Sequence, residues 1–228
     1  MILALRWSTI FTAFVIAVIG ILSLSILLEG VATGSAIWAS RGLFVFGVSA
    51  VVAALGNPTI YGFVHKATFA DSWMFPQLEG QWNARLCSNW PRVRRTFETA
   101  KSGGPPFDSL NDDLSVAEEA ERYLEAEVTI TCSLFVITMT LRPIGSNRVS
   151  RTRFVRPLWN KPALPELSYV FEQEDTDPIA NTDEKTHYGA GMIRYDPDKD
   201  ELAGYYWNNR KEQAGLNTAG SIRMTRMI

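Results

Sequence analysis

Residues 187–210, HYGAGMIRYDPDKDELAGYYWNNR, decide the fold. Two runs, His187 to Asp196 and Glu201 to Asn209, flank Asp196-Pro197-Asp198, whose residues end one strand and start the next. At a strand period of two, Leu202, Gly204 and Tyr206 share one face, which continues to Asn208 and Arg210 at the strand end. On the preceding run His187 starts the face that carries Gly189 and Gly191. Glycines facing inward make room for large neighbours, as a narrow barrel requires. Gly189-Ala190-Gly191 also starts a dinucleotide-binding fingerprint, but Arg194 stands at the third glycine and no helix follows, so these read as interior strand glycines.

The same signature extends in both directions. Glu79–Ser88 is a strand with Gly80, Trp82, Ala84 and Leu86 on one face. Glu127 to Leu141 is too long for one strand at about 3.3 Å per residue, and breaks near Cys132-Ser133. Asn147–Pro157, Leu167–Glu174 and Gly220–Met227 complete about eight strands, separated by Pro143 to Ser146, Pro162 with Pro165, Asp177-Pro178, and Gly215 with Asn217. That spacing predicts a meander closed into a barrel, or a small sandwich. One helix is inserted: Ser115-x-x-Glu118 forms a capping box that opens Val116–Glu125, and Lys101 to Pro106 before it reads as a mobile loop.

The first 64 residues differ in kind. They hold three charged side chains, Arg6, Glu29 and Arg41, which leaves 20 basic and 23 acidic residues in 65–228. The uncharged run Trp7 to Leu28 spans about 33 Å as a helix, enough for a hydrocarbon core. A second run, Gly42 to Val64, is interrupted by Gly56-Asn57-Pro58, where a kink or a helix end near Leu55 is tolerated. A signal-peptide core is shorter, and neither run has the polar face of an amphipathic core helix. The expected organisation is a two-helix transmembrane hairpin in 1–66, a linker in 67–77 and a barrel in 78–228. Arg6 and the chain amine, with His65 and Lys66, outweigh the lone Arg41 of the connecting loop, which puts the soluble domain on the cytoplasmic side.

The barrel's chemistry points to binding. No His-Glu-x-x-His, Gly-x-Ser-x-Gly or Cys-x-x-Cys occurs, so an enzyme is disfavoured and no cofactor or metal is expected. Neither a basic stripe nor an acidic tail is present, which argues against DNA or RNA polymers as partners. Two cysteines, Cys87 and Cys132, do not make a disulfide framework.

A polar and aromatic group gathers at strand ends. Tyr206, Asn208 and Arg210 share a face; His187 opens its own; Tyr169 and Phe171 alternate towards Gln173; Ser150 and Thr152 alternate with Arg151 and Arg153. Trp82 adds an aromatic platform. Aromatic faces stack on bases, arginine forks bind phosphate, and Ser, Asn and His supply directional hydrogen bonds. Singly, each has a plainer reading: Trp82 and Tyr206 as core, Arg151 and Arg153 as solvated surface, His187 as a turn fastener, Arg210 as loop surface. Their convergence at one end raises the binding reading above these. A barrel carrying an apolar ligand, a solid scaffold, or an enzyme with an unrecognised cluster are the rivals.

The order of two spans, Leu-Glu-Gly-Gln-Trp (78–82), Leu-Ser-Tyr-Val-Phe (167–171), His-Tyr-Gly-Ala-Gly (187–191), Leu-Ala-Gly-Tyr-Tyr (202–206), Asn-Arg (209–210) and Gly-Ser-Ile-Arg-Met-Thr-Arg (220–226) resembles the two-transmembrane, β-strand-rich effectors of bacterial CBASS antiphage defence. The resemblance implies a membrane-anchored all-β protein of the inner membrane, with an eight-stranded antiparallel lipocalin-like barrel that binds a cyclic dinucleotide. A partner nucleotidyltransferase would make that messenger. Binding would drive homo-oligomerisation and disruption of the membrane lipid, giving abortive infection. The resemblance carries Tyr206, Asn208 and Arg210 over as ligand contacts, with Ser150, Thr152, Tyr169 and His187 behind them. The chain departs from the family in a longer segment from Asn89 to Ala126 and in Cys132, where a glutamine is expected at the end of the second strand.

Overall fold

The computed structural model describes residues 45–50, 52–69, 74–159, 162–175 and 184–227. The first expected span, 7–28, and the connecting loop lie outside them. The chain divides into two compact units, one comprising residues 1–77 with 132–136, the other 78–131 with 137–228.

In the first unit, helices α1 (Val45–Gly56) and α2 (Pro58–Ala67) meet at a 97° bend. The break at 56–58 has a local cause. Pro58 has no amide hydrogen to continue the ladder, and the Asn57 side-chain oxygen accepts from Thr59 N at 3.0 Å and Ile60 N at 3.3 Å, starting a new helix. Among the described residues no single helix is long and apolar enough to cross a membrane, while α1 and α2 together have the length and composition of one bent span. Phe46, Val48, Val52, Ile60 and Phe63 are exposed on these helices. Tyr61 and His65, one turn apart on α2, are buried, and His65 Nε2 lies 3.1 Å from the Phe75 carbonyl oxygen.

The second unit is built on a barrel. Strands β1 (Gly80–Ser88), β2 (Tyr123–Cys132), β3 (Ile137–Pro143), β4 (Val149–Leu158), β5 (Glu166–Glu174), β6 (Thr186–Asp196), β7 (Glu201–Asn208) and β8 (Thr218–Arg226) follow one another as an antiparallel meander, and β8 closes on β1. The sandwich alternative is excluded: closure leaves no sheet edge. The strand bounds match the sequence expectation within a few residues except at β2, which begins at Tyr123.

Alternate side chains fill the interior. Trp82, Leu167, Ile193 and Leu202 are wholly buried and close one end. Trp82 Nε1 donates to the Leu78 carbonyl at 3.1 Å, the Arg226 guanidinium lies over its ring at 4.3 Å, and Tyr195 meets it edge-on at 6.4 Å. The aromatic platform expected at Trp82 is therefore the barrel's floor: its faces are taken by protein. On the outside, charges pair across strands. Arg85 meets Glu125, Arg151 meets Glu174, Arg153 meets Glu172 and Arg223 meets Glu201. Such exposed pairs contribute little each, but keep the outer face soluble.

Between β1 and β2 the chain forms two helices where one was expected. Helix α3 (Trp90–Ser102) runs into the segment taken as a loop, so that Lys101 and Ser102 are its last residues and Gly103, at φ 67°, caps it. Its apolar residues Trp90, Val93, Phe97 and Ala100 recur at helical spacing, and it is braced by ions: Arg94 to Glu121 at 2.7 Å and Arg95 to Glu118 at 3.5 Å. The capping box at Ser115 and Glu118 is present, but α4 spans Val116–Ala120 alone, because the residues after Arg122 pair with β1.

Replacing Trp82 with Ala should remove about 3–5 kcal/mol of stability, the usual loss for a buried aromatic truncation. Urea unfolding of the purified full-length chain checks this; a loss under about 1 kcal/mol would contradict the packed floor.

Candidate functional site

Strand register carries the polar residues to the end opposite Trp82. Ser88 on β1 pairs with Gly220, and Thr218 on the same strand as Gly220 pairs with Asn208. Asn208 pairs with Gly189 on β6, His187 with Gln173 on β5, and Gln173 with Ser150 on β4. Each step is one hydrogen-bonded ladder, so the backbone sets this rim.

A partly enclosed cavity of about 250 Å³ opens there. Tyr206, Asn208, Arg210, Tyr169, His187, Ser150 and Thr152 all line it; Trp82 does not. Its lower wall is apolar, with Leu86, Val128, Met139, Ile222 and Met224. Above these sit the rings of Tyr169, Phe171 and Tyr206, then the polar rim. Two glycines admit the rings. A Cβ on Gly191 would come within 2.4 Å of the Tyr169 ring, and one on Gly189 within 2.2 Å of Phe171.

The rim residues differ in what they can offer a ligand. The Asn208 side-chain oxygen accepts from Thr218 Oγ1 at 2.7 Å, from Arg210 N at 3.2 Å and from Thr218 N at 3.3 Å. Those three donors fix the amide's orientation, so its NH2 is the group turned to other partners. Ser150 Oγ donates to Gln173 Oε1 at 3.2 Å. Thr152 is committed to structure: its hydroxyl accepts from Met139 N at 2.8 Å and donates to Met139 O at 3.3 Å, where the β4 register shifts between Thr152 and Phe154. His187 is buried against the cavity.

Burial shapes the two phenols. It pushes the Tyr169 hydroxyl well above its ordinary value, with the neighbouring Tyr206 adding to the effect. Tyr206 is raised as well, by burial above all, against a lowering hydrogen bond from Ser88. Both are neutral hydrogen-bonding groups near pH 7.

The rim residues that sequence reasoning missed include Arg148, Arg122 and Trp90, beside Ser88, Glu121 and Thr218. Arg148 continues the alternation of Ser150 and Thr152 one step back, so the pattern contained it. Its Nε donates to Asp175 Oδ2 at 2.7 Å, a carboxylate 4% exposed. Arg122 and Trp90 come from the inserted segment, and no strand pattern could place them. Arg122 pairs with Glu119, and the Arg210 guanidinium lies over the Trp90 ring at 4.1 Å. Three guanidinium groups thus meet at the opening, with Glu121 as the acidic residue among the lining side chains. Among the described residues no group of three or more His, Cys, Asp or Glu is placed to hold a metal ion.

The raised phenols give a pH expectation. A folded chain that keeps these protons beyond the unfolded value of about 10 loses stability as pH rises past that value. Tyr169→Phe should therefore flatten the fall of melting temperature between about pH 9 and about pH 11, with Tyr195 and Tyr206 retaining part of the slope. An unchanged slope would mean that Tyr169 titrates as if in water. No protein-family model matches this chain, and no curated protein matches it.

Proposed function

We propose that this protein is a membrane-anchored defence effector whose barrel senses a cyclic dinucleotide, the reading implied by its resemblance to CBASS effectors. The observation that carries it is the convergence, at one barrel end, of aromatic faces, a fixed Asn208 amide and three arginines. Bases suit the rings of Tyr169 and Tyr206; phosphates suit Arg210, Arg148 and Arg122. A chain of net charge −2 that gathers arginines around one opening favours an anionic ligand there.

The uncharged runs 7–28 and 42–64 support the membrane anchor, as do the exposed apolar side chains of α1 and α2. In this reading ligand binding favours an oligomer, and the gathered spans disrupt the bilayer and kill or arrest an infected cell. The ligand must bind the oligomer-competent state more tightly than the resting one, because equal affinity shifts nothing. A second reading has its own support. The apolar lower wall suits the tail of a lipid-like ligand, as in a membrane-tethered carrier.

Calorimetry on the full-length chain in detergent, with uracil-, adenine- and guanine-containing cyclic dinucleotides, should find one that binds in the micromolar range or tighter. Arg210→Ala should weaken it at least about tenfold, the loss expected for a charge-assisted contact of about 1.5–3 kcal/mol. Binding of a fluorescent fatty acid with no response to any cyclic dinucleotide would transfer the case to the carrier.

A further inference from the structure

We propose that Trp90 is a positioning residue for the ligand's phosphate: it holds the Arg210 guanidinium at the cavity opening, and so makes the inserted segment part of the sensor. This rests on the reading of the cavity as a cyclic-dinucleotide site and extends it to residues outside the barrel strands.

Both partners are tied to the barrel by backbone. Asn89 donates from N to the Ala219 carbonyl at 2.9 Å and accepts from Ala219 N on Oδ1 at 2.9 Å. Trp90 N donates to Ser88 Oγ at 3.1 Å, and Pro91 presets the first helical turn. Helix α3 is then braced by Arg94 and Arg95 on the carboxylates of Glu121 and Glu118. Opposite, Arg210 N is held by Asn208 Oδ1 at 3.2 Å, and Lys211 turns the chain at φ 44°.

The long arginine stem is what the backbone leaves undetermined. Freezing its rotamers on binding costs affinity. Stacking at 4.1 Å on a half-buried indole settles that conformation beforehand. With its central carbon over the ring, the guanidinium keeps N–H groups at its edges, the groups with which arginine grips a phosphate through two bonds.

The test is a double-mutant cycle on the full-length chain, read by calorimetry with the tightest-binding cyclic dinucleotide of the panel. Trp90→Leu keeps apolar bulk without a ring, and should weaken binding about 3- to 30-fold. Trp90→Phe should lose clearly less. In an Arg210→Ala background Trp90→Leu should cost nothing further. Trp90→Met serves in place of the leucine variant should that one fail to fold. An apolar anchor with no role toward Arg210 predicts that Leu and Phe behave alike, or that the loss persists without Arg210; either result overturns the proposal. Wild-type protein that binds no cyclic dinucleotide overturns the ligand reading, and this inference falls with it.

Discussion

Interior volume governs this barrel. Eight strands enclose a space that side chains nearly fill, so towards the open end the large rings enter where the facing residue has no side chain. Gly189 and Gly191 on β6 meet that condition for Phe171 and Tyr169 on β5, and Gly220 on β8 does so for Tyr206. The three rings thereby lie in one half of the barrel. In the other half, Trp82 with Leu167, Ile193 and Leu202 uses up the volume. The result is a cup, solid below and open above, and its depth follows from where the glycines stand along each strand.

Polarity follows the same axis. The apolar lower wall gives way to phenols, then to an amide and guanidinium groups at the opening. Like charges around one opening repel one another, and each arginine has a partner: Arg148 pairs with Asp175, Arg122 with Glu119, and Arg210 lies over the Trp90 ring. The three partners are unequal. Asp175 is almost wholly buried, and stripping a buried carboxylate of its partner costs about 3–5 kcal/mol. Arg210 lies over an aromatic ring, a contact that competes weakly with a phosphate.

The sequence carried the barrel well and the site in part, for physical reasons. Strands here are short, bounded by Pro, Gly and Asp, and their period of two survives burial on one face; hence eight strands, and hence Tyr206, Asn208, Arg210, Tyr169 and His187 at one end. Trp82 obeyed the same alternation and yet fell outside the cavity, because alternation assigns a face and says nothing of depth along the barrel axis. Depth depends on register between strands, which only the ladders reveal. Helix α3 was illegible for another reason. Its apolar residues Trp90, Val93, Phe97 and Ala100 recur at helical spacing, but charges at Arg92, Arg94, Arg95 and Glu98 are interleaved with them, and much of what holds it is tertiary: ion pairs to Glu118 and Glu121 and the tie from Asn89 to β8.

That illegible segment bears on how a ligand could produce a signal. Each barrel strand is laddered on both sides, and moving one means breaking several backbone hydrogen bonds in a closed sheet. The parts of the opening outside any ladder are the stretch carrying Trp90, Glu121 and Arg122, the β3–β4 loop carrying Arg148, and the loop carrying Arg210. They are joined to the rest by single backbone hydrogen bonds, such as Ser88 N to Arg122 O and Asn209 N to Tyr188 O, and by a few side-chain contacts, each worth around 1 kcal/mol. A ligand can reorder contacts of that size with the energy of one or two good hydrogen bonds, whereas it cannot reshape the strands. If occupancy of the cup is to favour one state of the protein over another, the difference between those states resides in the inserted segment and the β3–β4 and β7–β8 loops.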